Sequence, residues 1–292
     1  LGPGLLTHYA DSYLLFTPPY TGGYVVQLTD ACGHGGNDYA YRLRLSSPRP
    51  DFNLRVTPSS LSMRGGTLSP ITVYAQRQDG FAGAIRVSLK APSHGFILYG
   101  GRIPAGCNAV RMTLRAPRNG VKQPTVLQLQ GVAHIGNEAM SRPVQAADDQ
   151  MQAFLYRHLV PADNLVVVAE PIRWKMPIAT VESPQPVVLP PGEATSLRFS
   201  GLPVRLLDKT ELALNNPPEG IVLEGAEFQG RELRCRISAD SATVAATLSG
   251  NLIIDIFRKP PASLRNKNKR IPKRRHIGVL PAVGFTTVQP YE

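Results

Sequence analysis

Asp30, Asn37 and Asp38 flank one Gly-rich connection, Thr29 to Asp38, and are the residues of this chain that come nearest to a metal-ligand set. Calcium takes several oxygen ligands converging from a loop. Asx residues beside Gly33, Gly35 and Gly36 are also what a turn uses, so these three stand as a calcium candidate only, and no other cofactor is expected. Cys32 and His34 form a single Cys-x-His with no second pair nearby. A zinc site needs clustered Cys and His ligands, so turn residues are the better reading. Asp148-Asp149 is an adjacent carboxylate pair, and capping a following helix explains it without chemistry.

Nucleophilic catalysis requires a nucleophile, a base and an orienting acid. The chain has no Gly-x-Ser-x-Gly elbow, and its six histidines (His8, His34, His94, His134, His158 and His276) are scattered. No catalytic residue is expected, and the chain reads as non-enzymatic, or as a non-catalytic part of a larger enzyme. The tyrosines Tyr9, Tyr13, Tyr20, Tyr24, Tyr39 and Tyr41, with Trp174, suggest a sugar platform, but several occupy inward strand phases and read as core.

The formal net charge of +11 is local. Arg258, Lys259, Arg265, Lys267, Lys269, Arg270, Lys273, Arg274 and Arg275 carry nine positive charges with no acid among them, which leaves +2 for the rest of the chain. Residues Arg265, Lys267, Lys269, Arg270, Lys273, Arg274 and Arg275 are a candidate polyanion-binding set through phosphate or sulfate contacts. No aromatics are interleaved for base stacking, which argues against single-strand recognition, and specific nucleic-acid binding is not expected. Strand-like segments lie on both sides, Leu252 to Phe257 and Ile277 to Phe285, so the simplest reading is a long solvated hairpin connection.

The elements around these residues are β. Pro92-Ser93-His94-Gly95-Phe96-Ile97-Leu98-Tyr99-Gly100 aligns without a gap to Pro217-Pro218-Glu219-Gly220-Ile221-Val222-Leu223-Glu224-Gly225. Each copy follows an alternating run, Ile85 to Leu89 or Glu211 to Leu214, and leads into another, Val110 to Leu114 or Leu233 to Ile237. A repeated strand–turn–strand unit predicts two related β-domains in tandem. Further strands are expected at Tyr13–Phe16, Tyr24–Leu28 and Tyr39–Leu45. In the last, Tyr39, Tyr41, Leu43 and Leu45 share one face and Arg42 and Arg44 the other, as in a half-buried antiparallel strand. Met151, Phe154, Leu155 and Leu159 recur at helical spacing and predict one short helix between the domains.

The fold class expected is therefore all-β, with tandem immunoglobulin-like sandwiches and one short inter-domain helix. The divisions are a partial β-domain at 1–47, a sandwich at 48–145, a helix-containing linker at 146–170 and a second sandwich at 171–292. The low charged content of 18%, with 27 Pro and 26 Gly in 292 residues, suits many short strands joined by tight turns. No run of about 18 apolar residues occurs, so no membrane span is expected. Cys235 is in phase with Leu233 and Ile237 and faces a core; Cys32 and Cys107 lie in Gly-rich turns, and whether they pair is left open. The chain begins Leu1-Gly2-Pro3 with no signal-peptide pattern and reads as a piece of a longer polypeptide.

The first segment resembles the C-terminal half of the bacterial pre-peptidase C-terminal domain. The residues that carry this are Tyr13-Leu14-Leu15-Phe16, Gly23 to Asp30, and Gly35-Gly36-Asn37-Asp38-Tyr39-Ala40-Tyr41-Arg42-Leu43. Phe52 to Ser59, Arg77-Gln78-Asp79-Gly80-Phe81 and Gly278-Val279-Leu280-Pro281-Ala282 resemble the tandem immunoglobulin-like domains of large secreted proteins of planctomycete-type bacteria. The resemblance implies an extracellular or cell-envelope location and a non-catalytic binding or spacer role toward a protein or cell-surface glycan. Two alternatives stay open: an accessory C-terminal region of a secreted protease, and a polyanion-binding module acting through residues 258–275.

Overall fold

Period-two alternation dominates the chain, and most of the backbone follows it. The computed structural model describes residues 4–6, 14–30, 32–152, 156–172, 177–245, 247–259 and 274–287. Phe52, Leu54 and Val56 alternate with polar neighbours and are all at most 2% exposed. Each such side chain contributes about 1.5–3 kcal/mol on burial.

The first sandwich comprises β1 (Gly4–Leu6), β2 (Asp51–Thr57), β3 (Ser60–Arg64), β4 (Leu68–Gln78), β5 (Ile85–Leu89), β6 (Ile97–Tyr99), β7 (Arg102–Ile103), β8 (Ala109–Arg115), β9 (Thr125–Leu127), β10 (Leu129–Ile135), β11 (Glu138–Gln152), β12 (Tyr156–Pro161) and β13 (Leu165–Glu170). The large sheet runs β6-β8-β4-β2-β11-β10-β5-β7, with β12 and then β1 branching from β11. A second sheet, β3-β13-β9, contributes Met63, Leu127, Leu165 and Val167 to the same core. Arg77 clamps the loops at one end. Its guanidinium donates to the carbonyls of Gly83 (2.6 Å), Pro104 (3.0 Å) and Cys107 (3.0 Å) and lies 5.2 Å from the Phe81 ring centroid.

The second sandwich comprises β14 (Thr180–Val181), β15 (Val187–Val188), β16 (Ala194–Ser200), the single-turn α1 (Leu206–Lys209), β17 (Thr210–Leu214), β18 (Ile221–Gln229), β19 (Glu232–Ala239), β20 (Ser249–Leu252), β21 (Ile254–Arg258), β22 (Arg275–Val279) and β23 (Val283–Thr286). The sheet β14-β16-β19-β18 packs on two three-stranded sheets, β15-β23-β20 and β17-β21-β22. Leu197, Phe199, Leu233, Cys235 and Ile237 lie at the centre of this core. Tandem all-β sandwiches are thus the fold.

The repeated sequence is a repeated structure. Gly95 and Gly220 both take φ +80, where a side chain would be strained. Phe96 N–H donates to Ser93 O at 2.9 Å, and Ile221 N–H to Pro218 O at 3.2 Å, closing equivalent turns. Both apolar residues after the glycine are buried, and the strands that follow, β6 and β18, pair with β8 and β19. The last glycine of each copy diverges. Gly100 is left-handed, φ +73, and turns β6 into β7. Gly225 sits at a register shift in the β18–β19 ladder, a bulge that β18 continues through.

Two expectations fail. The helix expected at 146–170 is absent: Ala147 to Gln152 pair with Tyr156 to Pro161 as antiparallel strands, and the one helix among the described residues is α1. The carboxylates bond sideways instead of capping. Asp148 accepts from Ser59 N–H (3.1 Å) and Ser59 Oγ (2.9 Å), and Asp149 forms a bidentate pair with Arg157. Of the residues at helical spacing, Leu159 is buried and Met151 exposed; Phe154 and Leu155 lie outside the described residues. Cross-strand partners outweighed a coincidental period.

The strands expected in residues 14–50 are also absent. Tyr24–Leu28 and Tyr39–Leu45 make no ladder, and Tyr39, Tyr41, Leu43 and Leu45 are 49–76% exposed. Alternation makes a half-buried strand only where a neighbouring strand and an opposing layer exist, and no described residue supplies them. Tyr13 lies outside the described residues. No helix among the described residues is long and apolar enough to cross a membrane.

Candidate functional site

The two sandwiches meet at a junction, through a set of polar contacts between described residues. From the second sandwich, Asn251 Nδ2 donates to the carbonyls of Gly100 (2.7 Å) and Arg111 (2.8 Å) in the first. Ala282 N–H donates to Thr113 Oγ1 at 2.9 Å, and Thr113 is fully buried. Cys107 Sγ lies 3.5 Å from Ser249 O. A small apolar cluster, Ile253, Val279 and Ala282 against Leu68 and Tyr99, fills the space beside these bonds.

A polar relay runs outward from the same place. Arg111 Nη1 donates to Asn215 O at 2.8 Å and also to Asn215 Oδ1. Asn215 Nδ2 donates to both oxygens of Asp255 (2.8 and 2.9 Å), and Asp255 Oδ1 lies 3.1 Å from His276 Nε2. Asp255 is only 8% exposed, so these partners are what make its burial tolerable. Burial pulls the Arg111 guanidinium below its ordinary value, while Asp255 and Tyr74 act in the opposite direction. The sequence carries no signal for this relay, because its members are far apart in the chain. Arg102, Pro104, Pro186, Ser249, Asn251 and Phe285 line a hollow of about 140 Å³ at the edge of the junction.

The proposed calcium residues are rearranged. Asp30 groups with Cys32 and His34, with ligand atoms all within 4.8 Å of one another, and Asp38 is outside that group. Asn37 and Asp38 form a separate turn, closed by Tyr39 N–H to Gly36 O at 3.1 Å. All of these residues are exposed. Cys32 and Cys107 are free thiols, and Cys235 is buried, its thiol pushed up to about 12 by burial.

In the basic run, Arg265, Lys267, Lys269, Arg270 and Lys273 lie outside the described residues. The strands that bound it pair antiparallel, with Arg258 opposite Arg275, which is the hairpin arrangement expected of a connection. Arg274 pairs with Glu211 at 3.0 Å, and Lys259 N–H donates to Lys209 O at 2.9 Å. Of the tyrosines in expected strands, Tyr24, Tyr39 and Tyr41 are exposed, as is Tyr20; Tyr9, Tyr13 and Trp174 lie outside the described residues.

No family model and no curated protein matches the chain. Among solved structures, the D00-D0 domain of intimin aligns over 80% of this chain and 99% of its own, at 12% identity and a TM-score of 0.25.

Proposed function

We propose that this chain is a non-catalytic binding and spacer module of a secreted or cell-envelope bacterial protein, in which two sandwiches are held as one stiff unit between neighbouring segments. The divisions that go with this reading are a segment over residues 14–47, then the two sandwiches, with β1 joining the first through β12. The observation that carries the spacer role is the junction. Asn251 bonds to Gly100 and Arg111, Ala282 to Thr113, and Asn215 to Arg111, which couples the two cores directly rather than through a linker. A spacer transmits position only if its joints are stiff. The exterior location rests on the sequence resemblance.

Small-angle X-ray scattering of the whole chain tests stiffness. The distance distribution of one fixed arrangement is expected, and an ensemble of independently moving sandwiches would sink the proposal. Reading the surrounding gene tests location. An export signal followed by further β-modules supports it, a catalytic protease domain upstream would make the chain an accessory region, and a gene with no export signal would overturn the exterior reading.

A second reading is favoured by the pairing of β21 with β22. Lys209, Arg258, Lys259 and Arg275 converge where β21 and β22 flank the basic run, with Arg274 paired to Glu211 beside them, so a net positive charge lies at one end of the sandwich. Polyanion binding there predicts heparin retention that falls steeply with salt. Replacing Lys267, Lys269 and Arg270 by Ser is expected to abolish it; retention that persists removes this reading.

A further inference from the structure

The turn from Asp30 to His34 brings a carboxylate, a thiol and an imidazole to one point on the surface. Gly33 takes φ +73, a conformation that glycine adopts without strain. Gly33 N–H donates to Asp30 O at 3.1 Å, and Asp30 Oδ2 accepts from the backbone N–H groups of Cys32 (3.0 Å) and His34 (3.1 Å). With these bonds in place, the side chains of Asp30, Cys32 and His34 come together. His34 Nδ1 lies 3.4 Å from Asp30 Oδ2, and the imidazole stacks on Tyr39, with ring centroids 5.9 Å apart and planes 12° apart. One ligand atom from each of the three residues falls within 4.8 Å of the others.

We propose that Asp30, Cys32 and His34 form a binding site for a divalent ion of the zinc or cobalt class. The donor set decides the class. Zinc accepts sulfur at about 2.3 Å, imidazole nitrogen at about 2.0–2.1 Å and carboxylate oxygen at about 2.0–2.2 Å in tetrahedral geometry. Three atoms within 4.8 Å of one another can surround one such ion with small side-chain rotations. Calcium wants six to eight oxygens, and a thiol and an imidazole supply none. Cys32 gives up its proton to the solvent on binding. Three protein ligands leave the fourth position to water or to a group on a partner. Sequence spacing alone misses this site because the third ligand is a carboxylate two residues before the cysteine, not another Cys or His.

The test uses the full chain without an affinity tag, reduced and freed of metal, titrated with cobalt(II). One equivalent is expected to produce thiolate-to-cobalt charge-transfer absorption that zinc abolishes and calcium leaves unchanged. Cys32→Ser removes the band, and His34→Ala and Asp30→Ala weaken binding by about tenfold or more, while Asp38→Ala binds as the parent does. Far-ultraviolet circular dichroism checks that each variant keeps its strands. Absence of the band, or its survival in Cys32→Ser through Cys107 or Cys235, overturns the proposal. So does calcium binding that Asp38→Ala removes, which would make the loop an oxygen site.

Discussion

Asn251 reaches across the junction to Gly100, its Nδ2 2.7 Å from the glycine carbonyl, at the one repeat glycine that turns β6 into β7. A Cβ at position 100 would stand 2.4 Å from Asn251 Nδ2 and 2.9 Å from Ala282 Cβ. Residue 100 is also at φ +73, so a side chain would be strained even in open space. Gly100→Ala is therefore expected to cost about 1–3 kcal/mol and to loosen the junction. Gly225→Ala, at the corresponding repeat position with nothing within 4 Å and no left-handed φ, is expected to be close to neutral. Urea unfolding of the two variants separates them; equal stabilities would refute the account of the junction.

Thr113 offers a sharper probe, because it is fully buried and its hydroxyl oxygen is the acceptor for Ala282 N–H. Thr113→Val keeps the shape and removes the acceptor, leaving a backbone donor unsatisfied at about 1–3 kcal/mol. Thr113→Ser keeps the acceptor and is expected to lose less. Scattering on the valine variant is expected to show a wider range of sandwich separations, whereas a change in stability with no change in shape would mean that the bond stabilises the cores without stiffening the joint.

The three cysteines have three environments, and thiol reactivity reads them directly. Cys32 is exposed, Cys107 is half-buried, and Cys235 is fully buried. At Cys107 burial raises the thiol pKa and Arg77 pulls it the other way, with a net rise. At Cys235 the value is about 12. Thiolate is the reactive form, so an aromatic disulfide reagent at about pH 8 is expected to label Cys32 first, Cys107 slowly and Cys235 only on unfolding. Mass spectrometry of the time course identifies the sites; rapid native labelling of Cys235 would contradict its place in the core.

Wherever the alternation is backed by a partner strand, it could be read from the chain. Phe52, Leu54 and Val56, the pair of Pro-x-x-Gly turns, the core phase of Cys235 and the hairpin about the basic run were all visible in the order of residues. The same alternation misled at Tyr39 to Leu45, where no partner strand exists among the described residues, and helical spacing misled at Met151 to Leu159, where β11 and β12 claim the backbone. Period is a local property, and pairing is not. The junction bonds and the Arg111–Asn215 step of the relay join residues more than a hundred positions apart, and the later steps to Asp255 and His276 still span 40 and 21, so nothing local announces them. The Asp30, Cys32 and His34 group is local, yet it depends on which way a left-handed Gly33 winds the turn.

The pH dependence of the first sandwich should report Asp51. Its carboxylate accepts from Arg142 Nε (3.0 Å) and Nη2 (2.8 Å) and from Phe52 N–H (2.7 Å). Burial acts to raise its pKa, but the Arg142 and Phe52 hydrogen bonds and the Arg142 charge together outweigh it, so the net direction is down. An unfolded aspartate titrates near about 3.9. A folded value below that means that the unfolded chain takes up the proton first as pH falls. The stabilisation from this pair is then fully present above about pH 4 and is lost as pH falls through the lower folded value. The pair links the start of β2 to β11, at the parallel seam of the large sheet. Asp51→Asn is expected to be less stable than the parent at neutral pH, with the difference shrinking steadily below pH about 4. Both side chains are near 30% exposed, so the loss is also expected to diminish in high salt. Urea midpoints of the two proteins across the acid range decide it: a difference that stays constant down to low pH would mean that the asparagine disturbs packing and that the carboxylate charge contributes nothing.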